Sequence, residues 1–276
     1  MLRISQITIS HLPKSRILII VTLLFFVVCT NTPEPGMRVV SLSPAMTEII
    51  YALDADVSLV GVTTLCDYPP QARNKPKVGD FSNPSLERIM GMQPTLVIVH
   101  LPEQRRIQDQ LERFDVNIFV SETRTLADIY AEIRKLGTLL NRSQQAESLV
   151  HTMQADLQPI SPARRKRVYI ELSPRPLITI GAGSFLNELI ELAGGQNIFS
   201  DLDKDYPIVQ QEEVIRRNPE VILVLHPVAV GSRSGWDNVD ALKYDRVYAD
   251  INQDHLMRPG PRLVEGFNTL REIVGE

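Results

Sequence analysis

Two stretches decide the fold: Pro84-Ser-Leu-Glu87-Arg-Ile-Met-Gly-Met-Gln-Pro94-Thr-Leu-Val-Ile-Val-His100 and Gln211-Glu212-Glu213-Val-Ile-Arg-Arg-Asn-Pro219-Glu-Val-Ile-Leu-Val-Leu-His226. Each reads as a short helix with a glutamate in its first turn, a proline that stops it, and an aliphatic strand running to a histidine. Proline cannot continue a helix, and an unbroken aliphatic run suits a strand covered on both faces. Glu87 and Glu212 each sit seven residues before their proline. The repeated phrase predicts two similar lobes, each presenting one carboxylate in the same pose. That is the geometry of a clamp, with a ligand between the lobes and one docking residue on each.

Working outward, Arg38-Val-Val-Ser-Leu42 is a short β-rich run, and Ser43-Pro44 opens a helix to about Ala52, serine capping and proline fitting the first turn. Val57 to Val62 reads as a strand, Thr63 to Pro70 as a loop, and Asn83-Pro84 as the start of the first repeat helix. Thr95 to Val99, a helix from Arg105 to Phe114 and a strand from Asn117 to Val120 complete a lobe. Apolar residues then recur with helical period from Leu126 to about Leu157, interrupted at Asn141-Arg142-Ser143 with Ser143 as the second cap. The second lobe holds strands at Arg167–Leu172, Leu177–Ile180 and Arg246–Ile251. Its helices are Phe185 to Ala193, the repeat, and a last one from Pro261. Strands alternating with helices predict an α/β protein with parallel-rich sheets. The expected domains are an N-terminal lobe over 37–125, a helical connector over 126–160 acting as one long backbone helix and stiff hinge, and a C-terminal lobe over 161–276.

Residues 1–36 are a separate segment. Lys14 and Arg16 precede the apolar run Ile17 to Val28, too short to span a membrane, as in an export signal. Cys29 follows, then the polar, proline-rich tether Thr30 to Gly36, which resembles the lipid-attachment end of a bacterial lipoprotein. Val28 departs from the small residue usual at that place, so an uncleaved anchor or cleavage nearby are the alternatives. The whole chain is 43% apolar and 22% charged, with a pI near 5.8. That balance argues against nucleic acid as a partner. Cys66 is the single cysteine of the body, so no internal disulfide supports it. It reads either as a small buried residue or as part of the ligand cleft.

The ordered set Arg38-Val-Val-Ser-Leu-Ser-Pro-Ala-Met-Thr-Glu48, Val60-Gly-Val, Asp67-Tyr-Pro-Pro70, Leu86-Glu-Arg-Ile89, Gly194-Gly-Gln-Asn-Ile198 and Arg258-Pro-Gly-Pro-Arg262 resembles the helical-backbone (class III) periplasmic substrate-binding proteins of ABC importers, the cobalamin-binding group most of all. The resemblance implies a monomeric receptor, exported to the periplasm or cell surface and held at the membrane through Cys29. It would deliver a corrinoid to a permease dimer with its ATPase subunits, the chelate being cargo and no resident cofactor being needed. Glu87 and Glu212 match the acidic residues that pair with permease arginines. By position, Phe81 and Tyr206 replace aromatic cleft residues, and Asp254 with Arg258 matches a polar pair near the ligand's amides. Leu65 and His100 stand where the cobalamin receptor carries a tyrosine and a tryptophan. Leu65, Cys66, Asp67 and Tyr68 form the adjoining loop, and Trp236 is either a lid on the cleft or a hydrophobic plug.

The loss of two stacking faces keeps a ferric siderophore, haem or another metal chelate open as cargo, with His100 as an axial-type contact. A direct zinc or manganese receptor using His100, His226 and His255 beside Asp254 is the more distant alternative. An enzyme is not expected. Gly-x-Ser-x-Gly, the P-loop and His-Glu-x-x-His are missing from the sequence, and Gly181-Ala-Gly183 needs only a tight turn.

Overall fold

The computed structural model describes residues 36–227 and 235–275. The export segment, Cys29 and the stretch 231–234 lie outside the described residues. The first lobe comprises β1 (Val39–Ser41), α1 (Pro44–Ala52), β2 (Leu59–Val62), α2 (Leu86–Gly91), β3 (Leu96–His100), α3 (Arg105–Leu111) and β4 (Asn117–Ser121). Helices α4 (Leu126–Leu139) and α5 (Ser143–Asp156) follow. The second lobe has β5 (Lys166–Glu171), a small hairpin of β6 (Ser173–Pro174) and β7 (Leu177–Ile178), α6 (Phe185–Leu192), β8 (Gly195–Asn197), α7 (Gln211–Arg217) and β9 (Val221–Val224). It closes with α8 (Asp240–Lys243), β10 (Val247–Tyr248), α9 (Asp254–Met257) and α10 (Leu263–Gly275).

The two main sheets are four-stranded and parallel throughout, ordered β2-β1-β3-β4 and β8-β5-β9-β10. In each, the second strand in chain order lies outside the first, and the third and fourth follow on its other side. The repeat seen in the sequence is therefore a repeat of topology. The repeat strands β3 and β9 are central and almost wholly buried, as their unbroken aliphatic runs require.

Local sequence sets the boundaries. Ser43 caps α1 by accepting from the Met46 amide, with Pro44 in the first turn. The cap of α2 is Ser85, which accepts from Arg88, rather than Asn83; Pro84 is held in a bridge to Gly79. Ser143 is the first residue of α5, not its cap; Arg142 occupies that place, with its guanidinium donating to the Asp54 carbonyl. Gly195–Asn197, where no strand was expected, form the edge strand β8, and β10 is shorter than the expected run from Arg246 to Ile251.

The connector is two helices of equal length rather than one continuous rod. Asn141 takes a left-handed φ of 54° at the break, and α5 turns back against α4. Arg134 pairs with Glu147 at 3.0 Å, and Gly137 leaves room for the Ala146 methyl, which a side chain there would strike. The start of α4 has a full capping box between Thr125 and Asp128, and Glu188 of α6 accepts from the Leu126 amide at 3.0 Å. A carboxylate at that end also suits the helix dipole. The second lobe thus caps the connector that leaves the first.

Candidate functional site

In open parallel sheets, ligands sit beyond the carboxyl ends of the strands, and most of the candidate residues fall there. Leu65, Asp67, Tyr68 and Phe81 follow β2, and His100 ends β3. Tyr206 follows β8, and Asp254 and Arg258 follow β10. Two clusters form.

The first cluster surrounds Glu48, a residue of α1 whose side chain is 2% exposed. Arg262 grips it with two bonds, Nε to Oε2 at 2.9 Å and Nη2 to Oε1 at 2.5 Å, and Arg258 adds Nη1 to Oε1 at 3.0 Å. Arg258 also donates to Asp67 at 2.8 Å and to the Leu65 carbonyl, and pairs with Asp254 at 2.9 Å. Partial burial would raise the Asp67 carboxyl, but the bond and charge of Arg258 outweigh it and hold the group below the usual carboxylate range. The Arg262 guanidinium lies 4.0 Å from the centroid of the Tyr68 ring, which is 41% exposed. A cation backing a half-open ring leaves a supported face toward solvent.

The second cluster joins Phe81 and His100, whose rings are 5.9 Å apart at 46°. Gln104 ties them together: its side chain donates to the Phe81 carbonyl at 2.8 Å and accepts from the His100 amide at 2.8 Å. Burial pushes the His100 imidazole below its ordinary value against the opposing charges of Glu103 and Glu122, so the ring is neutral at pH 7. Tyr206 stands on the opposite lobe, 45% exposed, while burial around its hydroxyl, helped by the Asp205 and Glu103 charges, pushes the phenol above its ordinary value. Beside it, Asp205 pairs with Arg124 at 2.6 Å across the lobes. Gly183 is needed here because a side chain would collide with Asp205, and Gly181 because one would strike the carbonyls of Leu202 and Lys204. The Gly-x-Gly turn is thereby explained by packing.

The structure decides two open readings and changes a third expectation. Cys66 is fully buried with its sulfur 3.2 Å from the Thr63 hydroxyl, so it belongs to the core and not to the cleft wall. Trp236 is 2% exposed and packs 6.3 Å from Tyr169 in the second lobe's core, which makes it a plug rather than a lid. Arg258 is 11% exposed and satisfied by three carboxylates, so it acts first as a strut between lobes. Leu65, at 52% exposure, remains an open apolar residue at the cleft. His226 is buried with Nε2 2.8 Å from Glu171, and His255 bonds Asn252. Among the described residues no group of three histidine, cysteine or carboxylate side chains is arranged to hold a metal ion. The sequence reading missed Glu48, Arg262, Gln104 and the Arg124–Asp205 pair. A lone glutamate inside the apolar helix Pro44–Ala52 was the signal for the first.

A profile described as "Periplasmic binding protein" matches residues 39–253. The chain belongs to that family. Its members bind solutes and are not enzymes. An uncharacterized ABC transporter substrate-binding lipoprotein of Bacillus subtilis (strain 168) is 33% identical over 260 residues, covering 89% of this chain and 82% of that protein. A vitamin B12-binding protein of Vibrio parahaemolyticus is 32% identical over 252 residues, 88% of this chain and 91% of the relative. Among solved structures, the periplasmic vitamin B12 binding protein BtuF of Vibrio cholerae matches with a TM-score of 0.73 and 29% identity, covering 87% of this chain and 97% of that one.

The buried cluster carries a direct test in this periplasmic binding protein. Glu48→Ala leaves Arg258 and Arg262 without their shared partner. Removing one side of a buried ion pair costs about 3–5 kcal/mol, which a fall in the urea midpoint will register. A midpoint within error of the parent would sink the role assigned to Glu48.

Proposed function

We propose that the chain is the substrate-binding component of an ABC importer and that its cargo is cobalamin or a related corrinoid. The observation that carries this reading is the set of part-open rings at the strand ends, Phe81 with His100 and Tyr68 on one side and Tyr206 on the other. Large chelates are gripped by such faces, with a few polar groups fixing orientation. Carboxylates of Asp67, Asp254 and Glu103 lie close by to receive peripheral amides. The match to vitamin B12-binding relatives over nearly nine-tenths of the chain favours a corrinoid over other cargo. A ferric haem or siderophore is the second reading, favoured by the neutral imidazole of His100, which is able to ligate iron.

Titration calorimetry of residues 30–276 with cyanocobalamin tests the cargo. One-to-one binding at micromolar affinity or tighter is expected, with Phe81→Ala and Tyr206→Ala each weakening it by about tenfold, the worth of one aromatic contact. No heat with cyanocobalamin, together with a Soret shift on adding haemin, would move the cargo to haem.

Docking falls to Glu87 and Glu212. Both are exposed in the first turns of α2 and α7, on matching elements of the two lobes. Arginine–carboxylate pairing supplies a directional contact for a permease surface. The double variant Glu87→Ala/Glu212→Ala is expected to lose most cyanocobalamin uptake while the affinity of the purified protein stays within about twofold of the parent. Undiminished uptake removes the docking role.

Residues 1–36 are read as the export signal and tether, with lipid on Cys29 holding the receptor at the membrane. Cys29→Ser should then shift the protein from the membrane fraction to the soluble fraction. An unaltered distribution points to an uncleaved anchor instead.

A further inference from the structure

The two lobes share a detail finer than their topology. Helix α2 is capped by Met92 and followed by Gln93-Pro94, and α7 is capped by Asn218 just before Pro219. Gln93 and Asn218, the residues just before the prolines, both take left-handed backbone conformations, with φ of 48° and 46°. A residue such as Gln93 adopts that region at a cost of roughly 1–2 kcal/mol, whereas asparagine enters it more readily, so the first corner depends most on its surroundings. In the first lobe an arginine does the holding; in the second an arginine shares it with Asp240, which accepts from the Asn218 amide group at 2.9 Å and donates its backbone N–H to the Asn218 Oδ1 at 2.8 Å. Arg38, immediately before β1, donates from Nε to the Gln93 carbonyl at 3.1 Å and to the Met92 carbonyl at 3.0 Å, with Nη2 to Met92 at 2.7 Å. Arg167, in β5, donates from Nε to the Asn218 carbonyl at 2.8 Å.

The sheet registers make the two arginines equivalent. Val39 pairs with Leu96, two residues beyond Pro94, and Val168 pairs with Val221, two residues beyond Pro219. Arg38 and Arg167 directly precede those valines. Each arginine thus satisfies carbonyls that the end of a helix leaves open and places a cation at the negative end of its dipole.

We propose that Arg38 and Arg167 are positioning residues for the docking face, a duplicated clamp that fixes the two helix–proline corners and with them Glu87 and Glu212. This rests on the docking role proposed above for those glutamates. Each glutamate lies six residues before its corner, about 9 Å along a helix at 1.5 Å per residue. Helices of six or seven residues do not stay in place by their own stability. A corner pinned to the first strand of its sheet converts such a helix into a fixed arm. The arms then hold two carboxylates at one separation, which a partner with two arginine-bearing sites would require. The second arm has an extra tie, since Arg217 bonds Asp201 at 2.9 Å and the Ile198 carbonyl. Loss of Arg38 should therefore loosen its arm more than loss of Arg167.

The separation can be read without any partner. In a Cys29→Ser/Glu87→Cys/Glu212→Cys background the buried Cys66 stays unlabelled, and pulsed electron spin resonance between nitroxides at 87 and 212 gives their distance distribution. A single narrow peak is expected, broadened about twofold or more by Arg38→Met and less by Arg167→Met. Arg38→Lys, which keeps a donor but not the fork, should fall between. Distributions equal to the parent in both methionine variants overturn the clamp. With Glu87 and Glu212 intact, Arg38→Met/Arg167→Met should also lower cyanocobalamin uptake with its affinity in solution unchanged. If Glu87→Gln/Glu212→Gln lowers uptake and the arginine pair does not, docking stands and the clamp fails. If the glutamine pair leaves uptake intact, docking fails and the spin-label distances alone judge the clamp. A variant that loses its circular dichroism signal is replaced by the lysine variant at the same position.

Discussion

One buried carboxylate connects the two ends of the chain. Glu48 accepts three hydrogen bonds from arginines more than 200 positions later in the sequence. A buried ion pair adds little net stability over a well-packed apolar substitute, because desolvating its charges offsets their attraction. What it supplies is orientation. Arg258 and Arg262 can satisfy Glu48 only if the intervening Pro-Gly-Pro lies over the start of α1, where Gly260 approaches the Ala45 carbonyl. That placement brings Arg262 under Tyr68 and Arg258 against Asp67. The exposed face of Tyr68 and the carboxylate of Asp67 are thus set by a buried contact behind them.

The same strand order appears twice, but the two copies are used differently at the cleft. His100 ends its strand largely buried but with an edge open to solvent, beside Phe81, its imidazole held below its ordinary value by burial. His226, its counterpart in the repeat, is turned inward and bonded to Glu171. The scaffold and the placement of the exposed glutamates repeat, whereas the side chains at the strand ends differ. The cleft is therefore asymmetric even though the scaffold around it repeats.

Much of this was legible in the sequence because it depends on local rules. Proline at the end of each repeat helix and the aliphatic runs after it place β3 and β9, and Ser43-Pro44 places α1. The misses have a common physical cause. Strand β8 is three residues long and lacks an alternating pattern, so only its pairing with β5 defines it. The bend between α4 and α5 depends on Gly137 meeting Ala146, a contact that periodicity does not report. Burial of Trp236 was hidden by its glycine- and serine-rich neighbours. Glu48 stands out as a lone carboxylate in an apolar helix, but its partner Arg262 lies 214 residues away, and nothing in a single sequence links the two.

The largest hydrophobic core runs from Met46 and Ile49 of the first lobe through Ile133 and Leu136 of the connector to Val168, Leu186 and Phe267 of the second. Each lobe adds a smaller cluster of its own, around Val40 and Val97 in the first and Tyr169 and Trp236 in the second, but the larger interior is shared. Cut apart at the connector, each half would present a broad apolar face to water and associate with whatever could cover it. The pair must then behave as one thermodynamic unit, melting in one step whose calorimetric and van't Hoff enthalpies agree. Chain synthesis has a matching consequence: the first lobe emerges from the ribosome without its cover and reaches its final packing only when α10, the last helix, arrives.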